Sequence, residues 1–183
     1  GTIHNDDRTF IGSPHPDFTY GINMGANYKN FDLSLFFQGS QGNDIYDLTR
    51  YYGDFYNLSA YNKQSRTLNA WTPENTNTDL PRLSLDDPNN NIRPSSYYVQ
   101  DGSFLRLKNI QLGYNIPLQE AGFRDLRVYV QAQNLFTITG YEGLDPEVGL
   151  QNYSSENRNL DIGVDRGIYP PSRSFLVGVN VNF

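Results

Sequence analysis

Apolar and polar residues alternate with a period of two in five stretches of the chain. That period marks strands with one oily and one wet face. In residues 19–28, Tyr20, Ile22, Met24, Ala26 and Tyr28 share one face, and Gly21, Asn23, Gly25 and Asn27 the other. Residues 31–41 set Phe31, Leu33, Leu35 and Phe37 against Asp32, Ser34, Phe36 and Gln38. Lys29-Asn30 joins these two stretches and fits a tight hairpin. Residues 104–116 line Ile110, Leu112, Tyr114 and Ile116 opposite Asn109, Gln111, Gly113 and Asn115. Residues 126–137 place Leu126, Val128, Val130 and Ala132 opposite Arg127, Tyr129, Gln131 and Gln133. Residues 174–183 put Phe175, Val177, Val179, Val181 and Phe183 on one side. Ser174, Gly178, Asn180 and Asn182 fall on the other, with Leu176 the one large apolar residue there.

Each stretch has about 10–13 residues, close to the ~9–11 that a tilted strand needs to cross the hydrocarbon layer. Strands of water-soluble proteins are nearer 5–6. Asn, Gln and Arg on the wet faces would be costly in a dry core but suit a water-filled hollow. The connections alternate too: short ones at 29–30 and 117–125, long ones at 42–103 and 138–173. Outer-membrane barrels have short periplasmic turns and long external loops. The expected architecture is therefore all-β: an antiparallel transmembrane β-barrel. Residues 1–18 end an extracellular loop, 19–41 form a barrel hairpin and 42–103 a long extracellular loop with short helices. A second barrel hairpin spans 104–137, another extracellular loop 138–173 and a last barrel strand 174–183, with the C-terminus periplasmic. In the first long loop, Ile45, Leu48, Tyr52 and Phe55 have helical spacing over 44–56, and Ser59 reads as the cap of a second helix running to Ala70. Residues 72–94, rich in Pro, Asn and Asp, read as irregular. Five strands cannot close a barrel, and an open edge in lipid is costly. The remaining strands are expected upstream of Gly1 or from another chain, and Gly1 reads as an internal start.

Composition sharpens this picture. Aromatics reach 14% of the 183 residues while hydrophobic residues total only 37%, a balance suited to a chain that meets a membrane–water boundary. Net charge is −6 without a Lys/Arg cluster, so nucleic-acid binding lacks its electrostatic footprint. The absence of Cys excludes thiol catalysis and Cys-ligated zinc. No apolar run is long enough for a transmembrane helix.

Several segments, in order, resemble one family. Residues 9–21 (T-F-I-G-S-P-H-P-D-F-T-Y-G), 31–46 (F-D-L-S-L-F-F-Q-G-S-Q-G-N-D-I-Y) and 69–83 (N-A-W-T-P-E-N-T-N-T-D-L-P-R-L) look like late parts of SusC/RagA-type TonB-linked outer-membrane transporters. Residues 99–117 (V-Q-D-G-S-F-L-R-L-K-N-I-Q-L-G-Y-N-I-P) are the strongest match, followed by 128–147 and the terminal strand. The resemblance implies a barrel of about 22 strands around a plug, in the outer membrane of a Gram-negative bacterium. It implies import of oligosaccharides or peptides, driven by the TonB complex through a plug segment, with a SusD-like lipoprotein as lid. The chain would be the C-terminal barrel segment, with Asn109, Gln111, Arg127, Gln131 and Gln133 facing the lumen. Val179, Val181 and Phe183 resemble the assembly signal read by the barrel-insertion machinery; a plain lipid-facing strand is the other reading.

Residues 1–7 fit the second half of an EF-hand-like loop, with Asp7 at the last ligand position. Ca²⁺ there is one reading and an ordinary Asn/Asp turn the other. Tyr51, Tyr52, Tyr56, Tyr61, Trp71, Tyr97 and Tyr98 crowd the first long loop. They serve as a stacking platform for substrate, as contacts for the lid, or as packing inside the loop. The carboxylates Asp86, Asp87, Asp145 and Glu147 read as solvated turn acids, and His4 and His15 lack metal-site spacing. Nothing argues for an enzyme. The rival readings are a soluble β-sandwich carbohydrate-binding module and a passive outer-membrane barrel.

Overall fold

The structure, a computed structural model, describes residues 4–56, 62–117, 125–149 and 161–182. The chain divides into two compact units.

One unit comprises Pro16–Gly42, Gly102–Tyr141 and Tyr169–Phe183. Its long strands are β1 (Phe18–Tyr28), β2 (Phe31–Gln41), β5 (Phe104–Ile116), β6 (Asp125–Thr139) and β8 (Ser174–Asn182). They form one sheet in the order β1-β2-β5-β6-β8, each pair antiparallel. The expected strands recur with small extensions: β1 starts at Phe18, and β6 runs from Asp125 to Thr139. Phe183 lies outside the described residues. The hairpin closes with Tyr28 opposite Phe31, and Lys29 takes φ +53, the positive value that tight hairpin turns need. All long connections leave the end of the sheet that carries Phe18, Gln41, Phe104, Thr139 and Ser174.

Register turns the period of two into rows. Ala26, Leu33, Leu112, Val130 and Val177 run side by side across the five strands. The next rows on that face are Met24-Leu35-Ile110-Ala132-Phe175 and Tyr28-Phe31-Tyr114-Val128-Val179. This face is open: Val177 is 83% exposed and Val179 57%. Aromatic residues mark both ends of it, Phe31 and Tyr114 with ring centroids 4.7 Å apart at one and Phe18 and Tyr20 5.9 Å apart at the other. Tyr20 and Tyr28 lie roughly 26 Å apart along the strand at ~3.3 Å per residue, before tilt; the apolar band of outer-membrane barrels is about 25 Å tall.

One feature of the sheet breaks the period. Lys108 is an extra residue between Leu107 and Asn109, and β6 bulges opposite it, where Asn134 adopts φ +51. Beyond the bulge, Leu105 and Leu107 take the face that Ile110 and Leu112 hold before it. Extra residues of this kind bend a strand and raise its twist.

The other unit comprises Gly1–His15, Asn43–Asp101 and Glu142–Ile168. A small sheet places β3 (Asp44–Asp47) between β4 (Val99–Asp101), antiparallel, and β7 (Val164–Asp165), parallel. The helix expected over 44–56 is corrected: its first turn is strand β3, and α1 covers only Thr49–Asp54. Asp44–Asp47 pairs instead with segments distant in sequence, Val99–Asp101 and Val164–Asp165, and its backbone groups serve that sheet. The second expected helix is also absent among the described residues, where Ser65–Asn69 form a 3₁₀ turn; Ser59 lies outside them. Residues 72–94 are irregular as expected, with one isolated bridge between Thr72 and Asn75.

Candidate functional site

The face of the long sheet opposite the apolar rows carries its chemistry. Gly25, Ser34, Gln111, Gln131 and Leu176 form one row there, and Asn23, Phe36, Asn109, Gln133 and Ser174 the next. The amides bond each other: Gln131 Nε2 donates to Asn109 Oδ1 at 2.7 Å. In a third row, Gly113 sits between Asp32 and Tyr129. Arg127 reaches across β5 over that glycine, and its Nε donates to Asp32 Oδ1 at 2.7 Å. A Cβ on Gly113 would meet both the Arg127 guanidinium and the Asp32 carboxylate 2.4 Å away, so only Gly leaves room for the pair. The guanidinium also lies 5.2 Å from the centre of the Tyr129 ring. Tyr129 in turn covers Gly178 of β8. Towards the long-loop end, Arg106 is 1% exposed, and its Nε donates to Thr137 Oγ1 at 2.8 Å. The five residues expected on the wet face, Asn109, Gln111, Arg127, Gln131 and Gln133, therefore do share one face. Asp32, Arg106 and Tyr129 share that face with them. An Asp and an Arg on the wet sides of separate strands were a readable signal for the pair, but their register was not.

Because the Asp32 and Arg127 side chains are 26% and 19% exposed, solvent screens them and the pair contributes modestly, about 1 kcal/mol. Asp32→Arg sets two guanidiniums side by side and is expected to lower the thermal midpoint of the barrel. The exchange Asp32→Arg with Arg127→Asp is expected to restore most of the loss. Heat-dependent gel migration of the full-length protein reads both.

In the loop unit the aromatic residues separate into two groups. Tyr98 is fully buried, its ring 5.2 Å from Tyr46 and 5.3 Å from Tyr97, and its hydroxyl donates to Ile92 O at 2.9 Å. Its expected role in substrate or lid contact is corrected: a ring without exposed surface presents no face, and Tyr98 packs inside the loop. Tyr51 is half-buried against Tyr52, 5.1 Å away. Tyr52, Tyr56 and Trp71 are exposed, with Lys63 Nζ 5.8 Å from the centre of the Tyr56 ring. Tyr61 lies outside the described residues.

Tyr97 belongs to a charged network that the sequence reading missed. Its hydroxyl donates to Asp54 Oδ2 at 2.7 Å, and Arg66 Nε donates to Asp54 Oδ1 at 2.9 Å. Glu142 Oε2 then joins Arg66 Nη1 at 3.0 Å to Arg50 Nη2 at 2.8 Å. Arg50 Nη1 donates to Tyr97 O at 2.7 Å. Gln100 Nε2 donates to Asp47 Oδ2 at 2.8 Å, and Gln100 Oε1 accepts from Glu142 N at 3.1 Å. Asp47 and Asp54 are buried, and burial without such partners would be prohibitive. Burial, with the adjacent Asp54 carboxylate, pushes the Tyr97 hydroxyl above the ordinary tyrosine range. Burial opposes the charge on Arg66, yet the hydrogen bond and field of Asp54 outweigh it and hold its pKa above the ordinary value. Asp145 is also corrected: it is buried rather than solvated, and its Oδ1 accepts from Glu147 N at 2.8 Å. Asp87 ties its loop by accepting from Asn91 N and Ile92 N.

Two cavities flank Trp71. One of about 580 Å³ is lined by Trp71, Asp79, Arg82, Asn89, Arg93 and Tyr97 among others. The other, of about 610 Å³, has Leu68, Ala70, Trp71, Pro73 and Leu83 in its wall.

At the start of the chain, Asn5–Asp7 form a 3₁₀ turn in which Asp7 Oδ2 accepts from His4 N at 2.7 Å. Gly1–Ile3 of the expected calcium loop lie outside the described residues. Among the described residues no three His, Asp or Glu side chains gather as metal ligands. The Asp7 carboxylate fits a turn cap as it stands.

No family model matches the chain. Its sequence is 44% identical over 186 residues to TonB-dependent receptor P3 of Formosa agariphila, covering all of this chain and 18% of that protein. It is 30% identical over 187 residues to the TonB-dependent receptor SusC of Bacteroides thetaiotaomicron, covering all of this chain and 17% of SusC. The structure of the RagAB peptide transporter superposes with a TM-score of 0.76 at 30% identity, over 95% of this chain and 18% of that one. The chain thus spans under a fifth of the length of these relatives. Transmembrane-length strands, faces of opposite character and this likeness agree. The chain belongs to the SusC/RagA-type TonB-dependent receptors of the outer membrane, and its five long strands are a section of that family's barrel wall.

Proposed function

We propose that this chain forms wall and outer mouth of an importer that carries oligosaccharides or peptides across the outer membrane. A SusD-like surface lipoprotein closes it from outside, and the TonB complex drives it through a plug segment. One observation carries the reading: a sheet of strands long enough to cross a membrane, with open apolar rows on one face and the amides, the Asp32–Arg127 pair and Tyr129 on the other. The apolar rows meet lipid. Asn109, Gln111, Arg127, Gln131 and Gln133 line a hydrated lumen, where neighbouring side chains and water satisfy them. The long connections face outward, and the C-terminus faces the periplasm. Val179, Val181 and Phe183 are the residues that the barrel-insertion machinery reads. Tyr52, Tyr56 and Trp71, with the exposed edge of Tyr97, meet the lid or the substrate. No sequence feature, and no bonded cluster among the described residues, supplies a catalytic role. Ca²⁺ held by residues 1–7, with Asp7 at the last ligand position, is part of the same proposal.

Gene deletion with uptake of labelled oligosaccharides and peptides tests the reading. Uptake is expected to fall at least tenfold on deletion and on loss of TonB, and the tagged full-length protein is expected to require detergent and to co-purify with a lipoprotein. Uptake indifferent to TonB would favour the passive barrel. A full-length protein that stays folded in buffer without detergent would favour the soluble module.

A further inference from the structure

We propose that the 580 Å³ cavity between Trp71 and Tyr97 is a subsite for an acidic sugar unit, one bearing a carboxylate or a sulfate. The inference rests on the importer reading and narrows its substrate. The cavity lies in the size range of small-ligand sites. Its two flat walls suit the apolar face of a pyranose ring. Trp71 is fixed by its backbone, with Trp71 N donating to Leu80 O at 3.1 Å, and Tyr97 by its hydroxyl on Asp54. The amides of Asn89 and Asn91 and the hydroxyls of Thr78 and Ser95 add side-chain donors and acceptors of the kind that sugar hydroxyls use.

Charge selects among sugars. Arg82 and Arg93 line the cavity against a single carboxylate, Asp79, so it is locally cationic in a chain of net charge −6. Arg93 is held in place before any ligand arrives: its Nε donates to Asn90 O at 2.7 Å, and its Nη2 donates to Asn89 O. Arg82 is exposed, and among the described residues it has no ion pair. Its planar fork matches a carboxylate or a sulfate with two parallel hydrogen bonds. A peptide is the weaker fit, because the polar wall is made of side-chain amides and rings rather than an open strand edge that would pair with peptide backbone.

The test uses the full-length transporter in detergent at physiological salt. Titration calorimetry compares a galacturonic acid hexasaccharide, a sulfated carrageenan hexasaccharide, neutral maltohexaose and hexaglutamate. At least one acidic sugar is expected to bind tenfold or more tighter than maltohexaose, and the two acidic sugars together tell carboxylate from sulfate. Arg82→Gln is expected to erase that preference, Arg82→Lys to keep part of it, and Trp71→Ala to weaken every sugar. Equal or tighter binding of maltohexaose or hexaglutamate overturns the subsite, as does failure of every probe to bind. Wild-type binding by both Arg82→Gln and Trp71→Ala overturns it too. If TonB-dependent uptake of labelled oligosaccharide or peptide persists in any of those cases, the importer reading stands and only the subsite falls.

Discussion

Tyr98→Ala is expected to unravel the loop unit while leaving the barrel wall assembled. Removing a fully buried aromatic side chain costs about 3–5 kcal/mol through lost transfer energy and the cavity left behind. Tyr98 is 0% exposed and central to its cluster, with Tyr46, Tyr97, Phe55 and Tyr51 all within 6.5 Å by ring centroid. Its loss also leaves Ile92 O without the hydroxyl that now donates to it. Tyr98→Phe keeps the ring and removes only that bond, so it is expected to cost about 1 kcal/mol. The long strands hold one another through their own ladder, and none of these rings belongs to them. Limited proteolysis of intact cells should therefore show new cleavage within residues 42–103 for Tyr98→Ala, with the amount of heat-modifiable barrel changed less than twofold. Wild-type protease resistance for Tyr98→Ala would show that the loop is held by something other than this cluster.

The wall was legible in the sequence and the loop core was not, for a physical reason. A strand exposed to two different media writes its period of two directly into residue type, so the edges of β2 and β5 could be placed without any knowledge of their neighbours. The bulge at Lys108 left a trace as a phase slip between Leu107 and Ile110, but the matching kink at Asn134 depends on pairing. The loop unit is held by contacts far apart in sequence: Asp54 to Arg66 and Tyr97, Arg50 to Glu142, Asp47 to Gln100. Each of these residues reads locally as a solvated charge or amide, and only the fold shows which charges meet. The aromatic cluster failed in the same way. Tyr97 and Tyr98 are adjacent and chemically alike, yet one forms a cavity wall and the other is sealed in the core.

Gly178→Val is expected to reduce assembled barrel severalfold, and the reason lies in a single close approach. Tyr129 and Gly178 are direct partners across β6 and β8, and the Tyr129 ring lies over the glycine. A Cβ at position 178 would sit 2.3 Å from Tyr129 Cζ and 2.4 Å from its hydroxyl oxygen, well inside contact distance. The ring cannot simply lift away, because the Arg127 guanidinium sits beside it and is itself tied to Asp32 over Gly113. Displacing Tyr129 therefore disturbs an ion pair whose members lie one and three strands from the substitution. Overpacking of this kind typically costs about 1–3 kcal/mol. Here it falls on a strand that must pair correctly before the wall can close, where an unpaired edge in lipid costs several kcal/mol more. Tyr129→Ala removes the obstacle, so the double variant Gly178→Val with Tyr129→Ala is expected to recover much of the yield lost by Gly178→Val alone. Non-additivity of that sign, read as heat-modifiable protein in outer-membrane fractions, would tie the defect to the ring rather than to the loss of glycine. Equal yields for the single and double variants would instead place the cost in the backbone of β8.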